Sequence, residues 1–140
     1  MIRTAKLEDS DSINALSEDL GYPGTPPDEA RARLNHLLES ATDDVCLFEE
    51  SGKVLGWIHT FIAYRVASPA FYEIGGLVVG PDARNRGIGR KLVEFAGKQS
   101  RSNNLELRVR CNSKRLDTHK FYEKTGFIES KTQCVFKLNS

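Results

Sequence analysis

A near-continuous apolar stretch, FYEIGGLVV (71–79), runs through GPDARNRGIG (80–89) into RKLVEFAGKQS (90–100). Ile88, Leu92, Val93 and Ala96 recur there at helical spacing. A strand apolar along its whole length is buried on both faces, so it belongs in the middle of a sheet with helices packed on it. Gly75-Gly76 interrupts that strand, and paired glycines in an apolar strand mark a bulge or the close approach of another chain or ligand. Gly87 and Gly89 then open the helix, whose first N–H groups have no intrahelical partner. Glycine leaves those groups uncovered, so an anion can reach the backbone there. Arg84, Asn85, Arg86 and Arg90 surround the spot. The residues alone leave two readings open, a solvated basic turn or a place that holds phosphate. No GxxxxGK[ST] is present, and Leu92 stands where a dinucleotide fingerprint needs its third glycine.

The rest of the chain sets the fold class. MIRTAKL suits a first, edge-like strand. EDSDSINALSEDLG is expected to form a helix with Ile13, Leu16 and Leu20 on one side and Gly21 as its stop. The next helix takes Thr25 as cap, Pro26 as first residue and Asp28 and Glu29 at its positive end, with a stripe of Leu34, Leu37 and Leu38. VCLFEESGKVLGWIHTFIAYRV reads as a hairpin turning at ESGK. LELRVRC is a strand, SKRLDTHKFYEKT a helix ended by Gly126, and FIESKTQCVFKL two short closing strands. The order β-αα-βββ-α-β-α-ββ predicts an α/β (α+β mixed) protein. It has a mixed, mostly antiparallel sheet of six to seven strands flanked by about four helices, in a single domain over 1–140.

Charge and cysteine usage remove several classes. Twenty Lys and Arg against nineteen Asp and Glu give a net charge of +1. The isoelectric point of about 7.7 argues against a nucleic-acid binder, which usually exceeds ~9. The longest apolar runs fall far short of the ~18 residues of a membrane span, and MIRTAKLEDSDS lacks the apolar core of a secretory signal. Cys46, Cys111 and Cys134 are odd in number with no CxxC spacing, so reduced thiols and a cytoplasmic location are expected, with no metal. His119 and Glu123 lie four apart on a helix, too few ligands for a metal. His59 is expected to pack, and Trp57 and Tyr64 to belong to the core.

A bulge at Gly75-Gly76 would leave backbone groups of Leu77, Val78 and Val79 unpaired beside the anion site. Phosphates on the helix and an amide-bearing arm along the strand together fit coenzyme A. At this point the sequence resembles a known family. GLVVGPDARNRGIGRKLVEFA (76–96) resembles motif A of the GNAT superfamily of N-acetyltransferases, R/Q-x-x-G-x-G/A, with Arg84, Gly87 and Gly89 in the defining positions. NSKRLDTHKFYEKTGF (112–127) resembles motif B, which ends in FYxxxGF, met by Phe121, Tyr122, Gly126 and Phe127. Thr118 stands where relatives often carry alanine. The resemblance covers essentially the whole chain and implies a GNAT-type fold, acetyl-CoA as donor and a primary amine as acceptor.

The implied chemistry needs an amine freed of its proton, a stabilised thioester oxygen and a protonated leaving thiolate. Backbone N–H groups around Leu77 and Val78 are candidates for the oxygen. The coenzyme would lie on Leu77, Val78, Val79 and the 84–90 loop, which comprises Arg84, Asn85, Arg86, Gly87, Ile88, Gly89 and Arg90. Asn112 matches a position that often touches the coenzyme arm and also suits a helix N-cap. Tyr122 is the candidate acid. Glu73, in an apolar strand where desolvation raises a carboxyl's pKa, is the candidate base, or else orients a cationic substrate. Asp19, Asp28, Glu29, Glu73 and Glu129 would draw a cation towards the cleft. The style of motif B is closest to members acting on small amines, including aminoglycosides and aminophosphonates. A protein lysine or N-terminal amine as acceptor, or a non-catalytic acetyl-CoA module, is the alternative. No nucleic-acid or membrane partner is expected, and a homodimer is compatible with the resemblance.

Overall fold

The computed structural model describes residues 1–19, 24–111 and 113–138. Their contacts group into two compact units, Met1–Arg110 and Cys111–Ser140. The first unit is built on a five-stranded sheet whose spatial order follows the chain, β1 (Ile2–Thr4), β2 (Asp43–Glu50), β3 (Lys53–Ala63), β4 (Phe71–Val79) and β5 (Leu107–Val109). The first four strands pair antiparallel and β4 pairs parallel with β5. The mixed α/β class is therefore as expected, and the apolar strand 71–79 lies between two neighbours. Helices α1 (Ser10–Asp19), α2 (Pro27–Glu39) and α3 (Ile88–Ser102) belong to this unit. Joining parallel strands requires a crossover, and α3 provides it between β4 and β5.

Local chemistry explains the joints. Glu50 pairs with Lys53 across Ser51-Gly52, which carry φ of 52° and 77°. Two left-handed residues in a two-residue loop make a type I′ turn, whose twist matches that of the hairpin. The α2 start lies one residue later than expected, with Pro26 as N-cap and Pro27 first in the helix. A residue before proline is driven out of the helical region, so Pro26 stays extended at ψ 140°. Thr25 does not cap; its hydroxyl accepts from Arg33 Nη1 at 3.3 Å. Leu20 and Gly21, expected to end α1, lie outside the described residues.

The sheet buries both faces. On one, Ala5, Leu34, Val45 and Leu47 form a core joined by Ile13, Leu37, Leu38 and Trp57. On the other, Ile88, Leu92, Val93 and Ala96 of α3 are buried. A Cβ at Gly56 would meet Val78 O at 2.9 Å and Leu92 Cδ1 at 3.4 Å, so glycine lets α3 approach the sheet closely. Leu92 has no exposed surface. Leu92→Ala should cost about 2–5 kcal/mol of stability through lost burial and a residual cavity. Urea unfolding checks this, and a change below that range would mean the site collapses around the smaller residue.

In the second unit, α4 (Leu116–Lys124) ends on Gly126 as expected, at φ 102°. The Phe127 N–H donates to Tyr122 O at 3.0 Å and the Gly126 N–H to Glu123 O at 3.1 Å. With the Tyr122 and Phe127 ring centroids 5.5 Å apart, this is a Schellman cap with its apolar clasp. FYxxxGF is thus a helix-stop signal before it is anything else. The two closing strands expected in 127–138 do not form among the described residues. Ile128, Val135, Phe136 and Leu138 are almost wholly exposed there. Alternating sequence makes a strand only where a partner backbone and a burying surface meet it.

Candidate functional site

The expected bulge is present. His59 pairs with Gly76 and Thr60 with Ile74, so Gly75 has no residue opposite it on β3. A Cβ on Gly75 would stand 2.7 Å from His59 Nδ1, and one on Gly76 would stand 2.8 Å from the Trp57 ring. The glycine pair therefore makes room for two β3 side chains on one face of the sheet.

Beyond the bulge the amides sort themselves. The Gly80 N–H donates to Leu55 O at 2.9 Å. Trp57 pairs with Val78 two residues along each strand. Hydrogen-bonded and non-bonded pairs alternate along an antiparallel ladder. The Val78 N–H is therefore turned to β3, and those of Leu77 and Val79 point away from it. On that side β5 pairs only with Tyr72, Glu73 and Ile74. Of the three amides read from the sequence, Leu77 and Val79 are the ones with no backbone partner among the described residues.

Gly87 caps α3 in the left-handed region, φ 76° and ψ 13°, with no side-chain cap and no acidic residue in the first turn. The first helical bond runs from the Lys91 N–H to Gly87 O, 3.0 Å. The N–H groups of Ile88, Gly89 and Arg90 thus face outwards at the positive end of the helix. A Cβ at Gly87 would have nothing within 4 Å. Asn85, at φ 62°, shapes the turn. Arg84 is exposed. Arg86 Nη2 binds both Glu50 carboxylate oxygens at 2.7 and 2.8 Å, and Arg90 pairs with Glu94 at 3.5 Å. Two of the three arginines are therefore already charge-compensated.

On the face of the sheet opposite α3, a cavity of about 480 Å³ is enclosed by α1, α2, β3 and the bulge. Ser10, Asn14, Glu29, Arg33, Trp57, His59 and both bulge glycines line it. The Ser10 hydroxyl and the Trp57 indole N–H are buried without a hydrogen-bond partner among the described residues. Both residues line the cavity, but these two atoms themselves have almost no accessible surface. His59 Nε2 lies 2.7 Å from Asp43 Oδ1. Burial alone would raise the Asp43 pKa, but hydrogen bonds from His59, Ser40 and Thr42 outweigh it and hold the group below the usual carboxylate range. A second cavity of about 380 Å³ lies at the hairpin-turn end, lined by Leu16, Lys53, Gly80 and Asp82 among others.

Glu73 is mostly buried, and its Oε1 accepts from Arg110 Nε at 2.9 Å. Tyr122 belongs to the second unit, where its ring stands edge-on to Phe121 and Phe127. Asn112 lies outside the described residues. Tyr64, expected in the core, is exposed at 69 % because it follows the last residue of β3. The His59–Asp43 pair and the orphaned Ser10 and Trp57 groups were not found by sequence reasoning, which gave His59 to packing. Sixteen residues and a strand reversal separate His59 from Asp43, and no local spacing signals such a pair. No helix among the described residues is long and apolar enough to cross a membrane.

Comparison with known proteins identifies the family. The acetyltransferase (GNAT) family model matches residues 11–127. The aminoalkylphosphonate N-acetyltransferase of Salmonella typhimurium (strain LT2) is 30% identical over 131 residues, covering 92% of this chain and 85% of that protein. A putative acetyltransferase from Agrobacterium tumefaciens superposes with a TM-score of 0.88 at 22% identity, over 99% of each chain. An aminoglycoside N-acetyltransferase solved in complex with CoA gives 0.87 at 18% identity, over 100% of this chain and 95% of that one.

Proposed function

Because this chain belongs to the acetyltransferase (GNAT) family, an acyltransferase family using acetyl-CoA, we propose that it acetylates the primary amine of a small molecule. The observation that carries this reading is the pairing of an uncapped helix end and free β4 edge with a cavity of about 480 Å³ behind the bulge. The residues fit the coenzyme: the open α3 N–H groups would receive its pyrophosphate, and the Leu77 and Val79 amides its amide-bearing arm and thioester oxygen. Arg84 would add charge to the phosphate site. Acetyl-CoA supplies the acetyl group.

The cavity's volume of about 480 Å³ suits a small acceptor. Arg33 and Glu29 on its wall suit an acceptor carrying both signs of charge. The name of the Salmonella relative points the same way, and an aminoalkylphosphonate is the first acceptor to try. Glu73, with Oε1 occupied by Arg110, retains Oε2 to draw an ammonium or hold a water beside it. Tyr122 is proposed to protonate the departing sulfur. A cytoplasmic location accords with the three free cysteines.

Acetyl-CoA should raise the melting temperature, with about 2.7 kcal/mol of stabilisation at a hundredfold excess over its dissociation constant. Acetate or adenine should do so weakly. Thermal-shift measurement checks it, followed by thiol release with 2-aminoethylphosphonate, an aminoglycoside and a lysine peptide. No shift at millimolar acetyl-CoA would sink the assignment, and turnover of the peptide alone would move the acceptor to proteins.

A further inference from the structure

We infer that His59, held by Asp43, is the base that takes the proton from the acceptor's ammonium. The inference rests on the acetyltransferase reading and adds a residue to its chemistry. The His59 ring spans from β2 to the β4 bulge. Its Nε2 meets Asp43 Oδ1 at 2.7 Å, and its Nδ1 lies where a Gly75 side chain would stand. Asp43 remains a carboxylate, so it accepts Nε2–H and fixes the tautomer that leaves a lone pair on Nδ1. Among the described residues Nδ1 has no hydrogen-bond partner, and His59 lines the same cavity as both bulge glycines. The basic nitrogen therefore stands between the acceptor cavity and the strand whose open amides follow the bulge. Asp43 is a positioning residue.

The step balances. The ammonium gives one proton to Nδ1, and the freed amine forms a C–N bond to the acetyl carbon as the C–S bond breaks. A second proton leaves the nitrogen as the C–S bond breaks, the sulfur takes up one proton, and His59 releases its own to solvent. The net products are amide, thiol and one proton. The charged groups near His59 are Asp43 from β2, Glu73 from the same face of β4, and Glu29 and Arg33 from α2. The α1 wall offers the uncharged Ser10 and Asn14. Only the neutral His59 ring can take up a proton.

The test compares two acceptors. The amine of 2-aminoethylphosphonate is an ammonium at neutral pH, whereas hydroxylamine is largely unprotonated and needs no base. With the phosphonate, His59→Gln should lose roughly 10²–10³ in kcat, and its rate should go on rising with pH as more of the amine is free in solution. Its loss with hydroxylamine should be much smaller than with the phosphonate, and its melting shift with acetyl-CoA should match the parent's. Asp43→Asn should retain the acid limb of the pH profile, displaced along the pH axis, and Glu73→Gln should change KM more than kcat. In the parent protein, the His59 Cε1–H NMR resonance should move when 2-aminoethylphosphonate is added. Equal losses with both acceptors, or no loss with either, would overturn the inference. A resonance indifferent to the phosphonate would do the same, even if His59→Gln does not fold. A missing acetyl-CoA shift in the parent overturns instead the reading beneath it.

Discussion

Tyr122→Phe should lower turnover by roughly 10²–10⁴, the usual worth of a general acid, with little change in stability or in acetyl-CoA binding. The backbone argument for intact structure is specific. Three hydrogen bonds converge on the Tyr122 carbonyl, from the N–H groups of Phe127 and Thr125 and from the Thr125 hydroxyl at 2.8 Å. All three meet the backbone carbonyl, which the variant keeps. The ring contacts with Phe121 and Phe127 are edge-to-face, a geometry phenylalanine reproduces. The loss will fall at the low end if the coenzyme thiol, with a pKa near the ~8.5 of cysteine, leaves readily without help. Steady-state kinetics with any acceptor the screen finds, alongside thermal melting, measures both halves. Full activity in the variant would remove the acid role and leave Tyr122 as the apolar clasp of the α4 cap.

Much of the frame was legible because its signals are local. The strand 71–79, its bulge at Gly75-Gly76, the uncovered start of α3 and the stop at Gly126 each arise from residues within a few positions of one another. What escaped depends on tertiary contact. The reason for the bulge glycines is not backbone freedom but the His59 and Trp57 rings on the neighbouring strand. His59 looked like a packing residue because its partner Asp43 lies across the hairpin, whereas Trp57 does pack against the core, as expected. The closing strands failed for the opposite reason. Their apolar residues are real in the sequence, but Val135, Phe136 and Leu138 are almost wholly exposed. The arginines of the 84–90 loop looked equivalent, whereas Arg86 is bound by Glu50 from a distant strand.

Gly87→Val and Gly89→Val should each abolish the melting shift with acetyl-CoA, removing the ~2.7 kcal/mol expected at a hundredfold excess, yet they should differ in their effect on the free protein. Gly87 sits at φ 76°, where a β-branched residue is strained by about 1–3 kcal/mol. Nothing lies within 4 Å of its Cβ direction, so no clash adds to that cost. Gly89 lies in the first turn of α3, where valine is no worse a helix former than glycine. The Gly87 variant should therefore melt earlier than the parent and the Gly89 variant should not. Each places branched carbons over N–H groups that must meet an anion directly. Lost binding in the Gly89 variant at unchanged stability would separate blocked access from damaged structure, which Gly87→Val alone does not do. If either variant binds acetyl-CoA as the parent does, the 84–90 loop is a solvated basic turn and the coenzyme's phosphates lie elsewhere.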